Sequence, residues 1–272
     1  MRFQVFDVGH GFCALLTADN SNVALFDCGH SDSFRPSLHL VATGCAAVET
    51  LVITNFDHDH VSDLPNLLSR LPVQTLYRNR TIPADALVRL KLDGGPLSQG
   101  LRSALGLHST YTADLAVPLD FAGVEIRTYC NSYPAFTDTN NLSMASFLFY
   151  DGIGILVPGD LERPGWLELL KRPEFRVDLA RTQILVASHH GRESGYCAEA
   201  FSCCSPDIVV ISDEAKQYES QENTYSCRAK GLSWSDGSLR RVLTTRRDGH
   251  ITVTKQRGLA YAVRTSKLAP PM

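Results

Sequence analysis

The feature that most constrains the fold is a group of titratable side chains placed directly after a short apolar run. The run LVI at residues 51–53 is typical of a strand buried on both faces, and it leads into TNFDHDH at residues 54–60. Burying two carboxylates and two imidazoles beside a core costs several kcal/mol unless a partner compensates. Divalent metal ions take ligands of this kind. The stretch therefore predicts a buried strand that ends at a metal site.

Three further polar clusters follow apolar runs elsewhere in the chain. Asp27 and His30 follow NVALF, Asp160 follows GIGILVPG, and His189 and His190 follow QILVAS. Loops at strand ends are places where a rigid scaffold aims side chains from distant segments at one point. Each cluster taken singly is typical of a turn or of a protein surface. The four together, in this order, predict a divalent metal that lowers the pKa of a bound water.

Composition describes an ordinary globular chain and offers no overall attraction to nucleic acid. Of 272 residues, 44% are hydrophobic and 20% are charged, and the formal net charge is -3. Arginines are nevertheless clustered locally, as solvated faces or as a basic groove; the clusters are Arg78 with Arg80, Arg240 with Arg241, and Arg246 with Arg247.

Apolar segments and cysteines indicate the cellular compartment in which the protein is expected. No apolar run approaches the ~20 residues needed to span a bilayer, so we expect no membrane segment. The first residues, MRFQVFDVGHG, lack the apolar core of a signal peptide, and we expect a cytoplasmic protein. Eight cysteines without a CxxC pair are then predicted to be reduced thiols.

Strands and helices are expected to alternate along the whole chain. FQVFDVG, FCALLTA and NVALFDCG predict an antiparallel meander, whereas VSDLPNLLSRL and ERPGWLELLKR have the apolar spacing of helices. No Pro-, Gly- or Ser-rich stretch marks a boundary, so residues 1–272 are predicted to form a single domain. Mixed strands interleaved with helices predict an α/β fold with helices outside and sheets between them.

Five segments resemble the metallo-β-lactamase fold superfamily, and within it the hydrolase domain of the ComEC-type competence proteins. FDVGHGFCALL and NVALFDCG resemble that branch's "DVGQGD…I" and "LIDTG" strands, and TNFDHDHVSDLPNLL resembles its "TH-x-D-x-D-H-x-GG" motif. TNNLSMASFLFYDGIGILVPGDLE resembles "N-x-x-S…LLTGD", LVASHHGRES resembles "HHGS", and VLTTRRDGHITVT resembles the closing "T…G-x-I-x-V" hairpin. The resemblance covers nearly the whole chain. It implies a four-layer αββα sandwich with its metal site along one edge of the sheets.

The resemblance also implies a second metal position with mixed ligands. Asp59 and His60 match the two positions that begin this site, and Asp160 matches the carboxylate that bridges two metals. One of His189 and His190 completes it. We favour His189, which comes directly off the strand, with His190 as a second ligand or a proton carrier.

The first metal position departs from the family pattern. Asp57 occupies the place of a ligand that is Asp in the ComEC branch, and Asn141 is a further member of this site. Asn55 stands where the superfamily has the first His, and its neutral amide oxygen lowers the charge and the affinity of the position. Oxygen-rich ligands favour manganese or magnesium here, and the mixed set favours zinc or manganese at the second position. The alternatives of one and of two divalent ions stay open.

Two residues beside these motifs are interpreted as support, and a third departs from the family pattern. Asp27 and His30 are expected to stabilise the loop after the third strand from behind the ligands. Asp63 replaces a glycine at the start of the following helix, where a carboxylate is compatible with the helix N-terminus or, alternatively, crowds the cleft.

The mechanism implied is hydrolysis by a hydroxide held at the metal and oriented by Asp59 or Asp160. The ComEC branch implies phosphodiester chemistry on DNA or a related nucleotide backbone. His190 or His58 is expected to protonate the departing alkoxide, and Arg192 to bind a phosphate oxygen.

The sequence therefore predicts three alternative functions. The first is a metal-dependent phosphodiesterase or nuclease with a nucleic acid or nucleotide as substrate. The second is a hydrolase of a small ester, lactone or cyclic nucleotide on the same fold. The third is a degenerate, non-catalytic binding member, which Asn55 favours. The sequence names no protein partner.

Overall fold

Short strands recur from one end of the chain to the other. The structure is a computed structural model that describes residues 1–92, 95–113, 119–214, 220–234 and 236–267. Its strands are β1 (Arg2–Val5), β2 (Ala14–Thr17), β3 (Val23–Phe26), β4 (Val48–Val52), β5 (Val73–Tyr77), β6 (Glu125–Cys130), β7 (Met144–Tyr150), β8 (Ile153–Val157), β9 (Ile184–Val186), β10 (Ile208–Ile211), β11 (Leu232–Ser233), β12 (Leu239–Arg240), β13 (Val242–Thr244), β14 (Ile251–Thr254) and β15 (Ala262–Thr265).

The helices are short, and four of those described carry a proline at their first or second residue. They are α1 (Pro36–Ala42), α2 (His58–Val61), α3 (Leu64–Leu68), α4 (Ala84–Leu92), α5 (Gln99–Thr110), α6 (Arg163–Leu169), α7 (Pro173–Ala180), α8 (Glu222–Ser226) and α9 (Thr245–Asp248). The helix predicted over VSDLPNLLSRL is divided between α2 and α3, with Pro65 in the first turn of α3. The helix predicted over ERPGWLELLKR is α6, with Pro164 in its first turn.

The first sheet has the strand order β15-β14-β1-β2-β3-β4-β5. The predicted meander is confirmed, since β1, β2 and β3 pair antiparallel. Strands β3, β4 and β5 are parallel, so their carboxyl ends lie at one edge. Strand β14 returns from the far end of the chain to pair with β1.

The second sheet has the strand order β13-β10-β9-β8-β7-β6. Strands β8, β9, β10 and β13 are parallel, and β6, β7 and β8 are antiparallel. The hairpin expected in VLTTRRDGHITVT is wrong: β13 belongs to this sheet and β14 to the other, with α9 between them. A helical turn at TRRD carries the chain from one sheet to the other. The hairpin that closes the first sheet is β14–β15.

Alternating side chains of the strands build three apolar layers. Phe3 and Phe26 of the first sheet pack with Ile155 and Val210 of the second between the two sheets. The opposite face of the first sheet packs on α1, α3, α4 and α5, and that of the second packs on α6 and α7. The four-layer αββα fold is therefore confirmed. The prediction that residues 1–272 form a single domain stays a prediction.

Two further sequence expectations concern membrane segments and thiols. Among the described residues, no helix is both long and apolar enough to cross a bilayer. All eight cysteines are free thiols.

Candidate metal centre

Each residue of the centre leaves the carboxyl end of a strand. Asp27 follows β3, the TNFDHDH stretch follows β4, Asp160 follows β8 and His190 follows β9. Because β3 and β4 are parallel, as are β8 and β9, these ends reach one edge of each sheet. Asp27 (φ 58°), His189 (φ 51°) and His190 (φ 55°) adopt left-handed backbone conformations. Such conformations are rare outside glycine and are concentrated at functional sites.

Two histidines and two carboxylates from the two sheets meet at this edge. His60 Nε2 lies 3.1 Å from Asp160 Oδ2, and His190 Nε2 lies 3.1 Å from Asp59 Oδ2. His190 Nε2 is also 3.8 Å from Asp160 Oδ1, and His60 Nε2 is 4.0 Å from Asp59 Oδ2. The potential ligand atoms of His60, Asp160 and His190 lie within 4.8 Å of one another. We call His60, Asp160, His190 and Asp59 the His/Asp cluster.

The ring nitrogens of the cluster are arranged to accept a cation. His60 Nδ1 donates to Asp27 Oδ2 (2.7 Å), and His190 Nδ1 donates to the carbonyl oxygen of Ser212 (3.0 Å). In a neutral ring this leaves the lone pair on Nε2, facing the carboxylates. Both Nε2 atoms are buried and have no aligned hydrogen-bond partner among the described residues. Two imidazole and two carboxylate ligands form a donor set that zinc or manganese accepts.

Asp27 is held in turn by the chain after β4. Its Oδ1 accepts from the backbone N–H of Thr54 (2.7 Å), and its Oδ2 accepts from the hydroxyl of the same residue. Burial raises the pKa of Asp27, against the lowering effect of His60. The supporting role expected for Asp27 therefore has a geometric basis in the orientation of His60.

Electrostatics couple the members of the cluster. Burial opposes the charged forms of Asp59 and Asp160, but the neighbouring imidazoles outweigh it and hold both carboxyl pKa values below their ordinary range. Burial also opposes the charged imidazoles, yet the carboxylates raise the pKa of His60 and of His190. Without a cation the carboxylates favour protonated imidazoles, and a bound divalent ion would favour the neutral rings, so metal binding is coupled to proton release.

Backbone segments pack closely behind Asp59. A Cβ added at Gly29 would lie 2.2 Å from the carbonyl oxygen of Asp59, and one added at Gly11 would lie 2.5 Å from the same atom. Cys28 N–H donates to the carbonyl oxygen of His60 (2.7 Å), and Gly29 N–H donates to that of Phe12 (2.9 Å). These contacts fix the loop after β4 against the loops after β1 and β3.

His10 is a residue of the centre that the motif analysis missed. Its Nε2 lies 3.6 Å from Asp59 Oδ2, and His10, Asp59 and His190 form a second group of potential ligands. Burial and the neighbouring His190 lower the pKa of His10 to about 4, so its ring is neutral at physiological pH. The signal was present in FDVGHG, where His10 stands in place of the glutamine of "DVGQGD".

The first metal position is filled by protein donors. Asp57 Oδ1 accepts from Lys91 Nζ (2.5 Å), and its Oδ2 accepts from Asn55 Nδ2 (2.8 Å). Asn55 Nδ2 also donates to Asp160 Oδ2 (3.2 Å). Asn55 therefore presents hydrogens, and not its oxygen, to the carboxylates that the sequence assigned to a metal.

The two asparagines of NNLS have different environments. Asn141 Oδ1 accepts from the backbone N–H of Gly165 (2.7 Å), so this side chain binds the first turn of α6. Asn140 Oδ1 accepts from Asn55 Nδ2 (3.1 Å). The structure thus places Asn140, and not Asn141, beside the first metal position.

Two predicted site residues, His58 and His189, lie outside the His/Asp cluster. His58 is exposed and its Nδ1 is 2.9 Å from Ser98 Oγ, at the start of α5, so the structure does not place it in the His/Asp cluster as a proton donor. His189 Nδ1 contacts Ser194 Oγ (2.9 Å), and its Nε2 accepts from Arg192 (3.0 Å). The geometry therefore favours His190 over His189 as the ligand.

Arg192 links two imidazoles at the rim. Its second terminal nitrogen donates to His10 Nε2 (3.0 Å), and the guanidinium is half-buried. It therefore orients His189 and also His10, which lies beside Asp59, and adds positive charge at the rim.

His30, a predicted support residue, and Asp63, a departure from the family pattern, make their contacts outside the His/Asp cluster. His30 Nδ1 contacts Ser62 Oγ (2.7 Å), which ties the loop after β3 to the end of α2. Asp63 is fully buried and accepts from Ser37 N–H (2.9 Å) and Arg35 (3.2 Å), so it binds the start of α1 and leaves the cleft clear.

Three of the four clustered arginines near the C-terminus are ion-paired within the chain. Arg240 pairs with Asp248 (2.6 Å), and Arg247 pairs with Glu222 (3.0 Å). Arg246 also contacts Glu222. Their charge is largely balanced within the chain.

Comparison with known proteins now identifies the family. A model of the metallo-beta-lactamase superfamily matches residues 6–182, a range that includes Asp59, His60 and Asp160. The chain belongs to the metallo-beta-lactamase superfamily. At the level of this superfamily it is a metal-dependent hydrolase, and the implied cofactor is one or two divalent metal ions. The resemblance drawn from the sequence motifs is confirmed.

A curated relative and two solved structures are similar to this superfamily member. ComE operon protein 3 of Bacillus subtilis (strain 168) is 23% identical over 174 residues, which cover 64% of this chain and 21% of the relative. Igni18, a metallo hydrolase from Ignicoccus hospitalis, is 15% identical with a TM-score of 0.49 over 94% of this chain and 100% of that chain. A mutant of the β-hydroxylase CmlA is 11% identical with a TM-score of 0.50 over 92% of this chain and 53% of that chain. The chain spans about a fifth of the length of its curated relative.

Proposed function

We propose that the chain is a metal-dependent phosphodiesterase acting on DNA or a related nucleotide backbone. The observation that carries the proposal is the His/Asp cluster, in which buried Nε2 atoms from both sheets face two carboxylates. Likeness to ComE operon protein 3 over 174 residues supports a substrate of the class that the ComEC-type motifs imply.

When bound, a divalent ion at the cluster supplies a nucleophile by acidifying water and neutralises an anionic substrate. The chain orients the ligands through Asp27 and the carbonyl of Ser212. Asp59 is the most exposed member of the cluster and is placed to contact the incoming substrate. Arg192 adds positive charge beside it, which favours a phosphate over a neutral ester.

The ion-paired arginines bear on how a long nucleic acid would bind. Because Arg240, Arg246 and Arg247 are ion-paired, the substrate is expected to be held mainly at the cluster. A long nucleic acid bound by few phosphate contacts would show a shallow dependence of affinity on salt. A cytoplasmic location belongs to the same proposal, since free thiols such as those of the eight cysteines persist in that compartment.

The test is an activity screen with added zinc, manganese or magnesium. Linear DNA, bis(p-nitrophenyl) phosphate, a cyclic nucleotide and a lactone separate the nuclease from the other hydrolases. Asp160→Asn is expected to remove hydrolysis, whereas Asp178→Asn, a buried carboxylate bound to Tyr129 (2.7 Å), is the matched control. Hydrolysis of the lactone alone would favour the second function. Absence of turnover with every metal would favour the non-catalytic member.

A further inference from the structure

We propose that Lys91 takes the place of the first of the two cations that the sequence motifs imply. The chain would then bind a single divalent ion, at the His/Asp cluster. This inference rests on the proposed metal-dependent function and deepens it, because it states how many ions the site takes and which side chain replaces the other.

Lys91 reaches the first position from α4. Its side chain is only 9% exposed, and its Nζ donates to Asp57 Oδ1 (2.5 Å) and to Thr139 Oγ1 (2.6 Å). An ammonium group carries three hydrogens and no lone pair, so it acts on Asp57 as a small cation does. The resemblance assigned Asp57 to a metal, and in the structure its carboxylate is neutralised by the chain.

Asn55 donates hydrogen bonds at the same first metal position. Its Nδ2 is surrounded by Asp57 Oδ2 (2.8 Å), Asn140 Oδ1 (3.1 Å) and Asp160 Oδ2 (3.2 Å), all of which are acceptors. Turning the amide over would place its oxygen against these three oxygens. The amide therefore acts as a donor here, and its Oδ1 is buried without a hydrogen-bond partner among the described residues.

The two metal positions consequently differ in the groups that already contact their carboxylates. At the first, the ammonium of Lys91 and the amide hydrogens of Asn55 occupy both oxygens of Asp57. A divalent ion there would have to displace these donors and would be repelled by the ammonium. At the His/Asp cluster, the Nε2 atoms of His60 and His190 face carboxylates without an aligned donor between them.

The test is the metal content of the purified protein, measured by inductively coupled plasma mass spectrometry after equilibration with zinc or manganese. We expect one equivalent per chain in the wild type and two in a folded Lys91→Met/Asn55→His variant. Lys255→Met is the matched control, since Lys255 is also 9% exposed and pairs with Asp151 (2.8 Å); it should keep one equivalent. Two equivalents in the wild type, or one in the folded double variant, would overturn the inference.

Asp57→Asn gives a second measurement should the double variant fail to fold. If Asp57 binds Lys91 in place of a metal, this substitution leaves one equivalent bound with unchanged affinity. Loss of an equivalent, or at least tenfold weaker binding, would overturn the inference.

Metal content and activity separate this inference from the proposed function. Two equivalents with metal-dependent hydrolysis would overturn the role of Lys91 alone. One equivalent without hydrolysis would support that role and overturn the proposed activity. A wild-type protein without bound metal would overturn both.

Discussion

At the residue scale, the orientation of the imidazoles depends on groups behind the ligands. Asp27 accepts from His60 Nδ1, and the carbonyl of Ser212 accepts from His190 Nδ1. Each contact selects the tautomer that leaves Nε2 available to the cluster. The ligand set is therefore prepared by hydrogen bonds that lie outside it.

Asp27→Asn is expected to weaken zinc binding about 10- to 100-fold. The amide keeps the volume of the side chain and tolerates the left-handed backbone at this position (φ 58°), but it removes the charge that fixes His60. Competition with a chromophoric zinc chelator measures the affinity. Asp63→Asn is the control: it changes another fully buried carboxylate, which binds Ser37, and should alter stability without altering zinc affinity. Equal affinities in Asp27→Asn and wild type would contradict the prediction.

At the element scale, the loops after β1, β3 and β4 pack backbone against backbone. Gly29 and Gly11 face the carbonyl oxygen of Asp59 at distances that leave no room for a side chain. This close approach explains glycine at both positions and sets the location of Asp59 relative to the second sheet.

Gly29→Ala is expected to lower the free energy of unfolding by about 1–3 kcal/mol, because the methyl group would overlap the carbonyl oxygens of Asp59 and Phe12. Metal affinity should fall with it, since Asp59 must shift. Chemical denaturation and zinc titration measure the two effects. Gly106→Ala in α5 has nothing within 4 Å and should instead stabilise the chain by about 0.5–1 kcal/mol. An unchanged free energy of unfolding in Gly29→Ala would contradict the prediction, because it would show that the loops make room for the methyl group without loss of stability.

The hydrogen bonds that attach α5 to the chain after β5 make the stability of the fold depend on pH. His108 Nδ1 accepts from Arg78 (3.0 Å), and its Nε2 donates to the carbonyl of Ile82 (2.9 Å). Burial, and then Arg78, lower the pKa of His108 below its ordinary value of 6.5. The unfolded chain therefore binds this proton more readily, so stability present above pH 6.5 is lost as the pH falls through the lowered pKa.

His108→Gln is expected to make the free energy of unfolding less dependent on pH on the acid side of neutrality. Urea denaturation of wild type and variant between about pH 7 and about pH 5 measures the two slopes. Parallel slopes would show that protonation of His108 does not contribute.

At the scale of the whole molecule, the His/Asp cluster joins the two sheets. Asp59 and His60 follow a strand of the first sheet, and Asp160 and His190 follow strands of the second. An ion bound by all four would hold the edges of the sandwich together. Metal binding is therefore expected to be coupled to the stability of the fold.

Removal of the metal with a chelator is expected to lower the melting temperature. At a free metal concentration of about 100 times the dissociation constant, binding stabilises the native state by about 2.7 kcal/mol. For a chain of this size that corresponds to a shift of about 5–10 °C. Calorimetry with and without chelator measures it, and Asp160→Asn should be insensitive to the chelator. Equal shifts in wild type and Asp160→Asn would place the bound ion elsewhere.

The sequence determined much of this protein by itself. Apolar runs specify strands whose ends carry polar clusters, and this local pattern predicted an α/β fold with a metal site at the strand ends. The four-layer αββα arrangement and the assignment of Asp59, His60 and Asp160 to that site came from the resemblance of the motifs to a known family, and the structure brings these three residues together. The local pattern succeeded because a strand places the residue after its end at a predictable edge of the sheet.

Only the tertiary structure decided which side chains complete the centre. Lys91 meets Asp57 across 34 positions of the chain, and Arg192 meets His10 across 182. The choice of His190 over His189 and of Asn140 over Asn141 depends on which way neighbouring side chains point. Local patterns specify a strand and its end, whereas the direction of each side chain is set by partners that are distant in sequence and are brought close only when both sheets have packed.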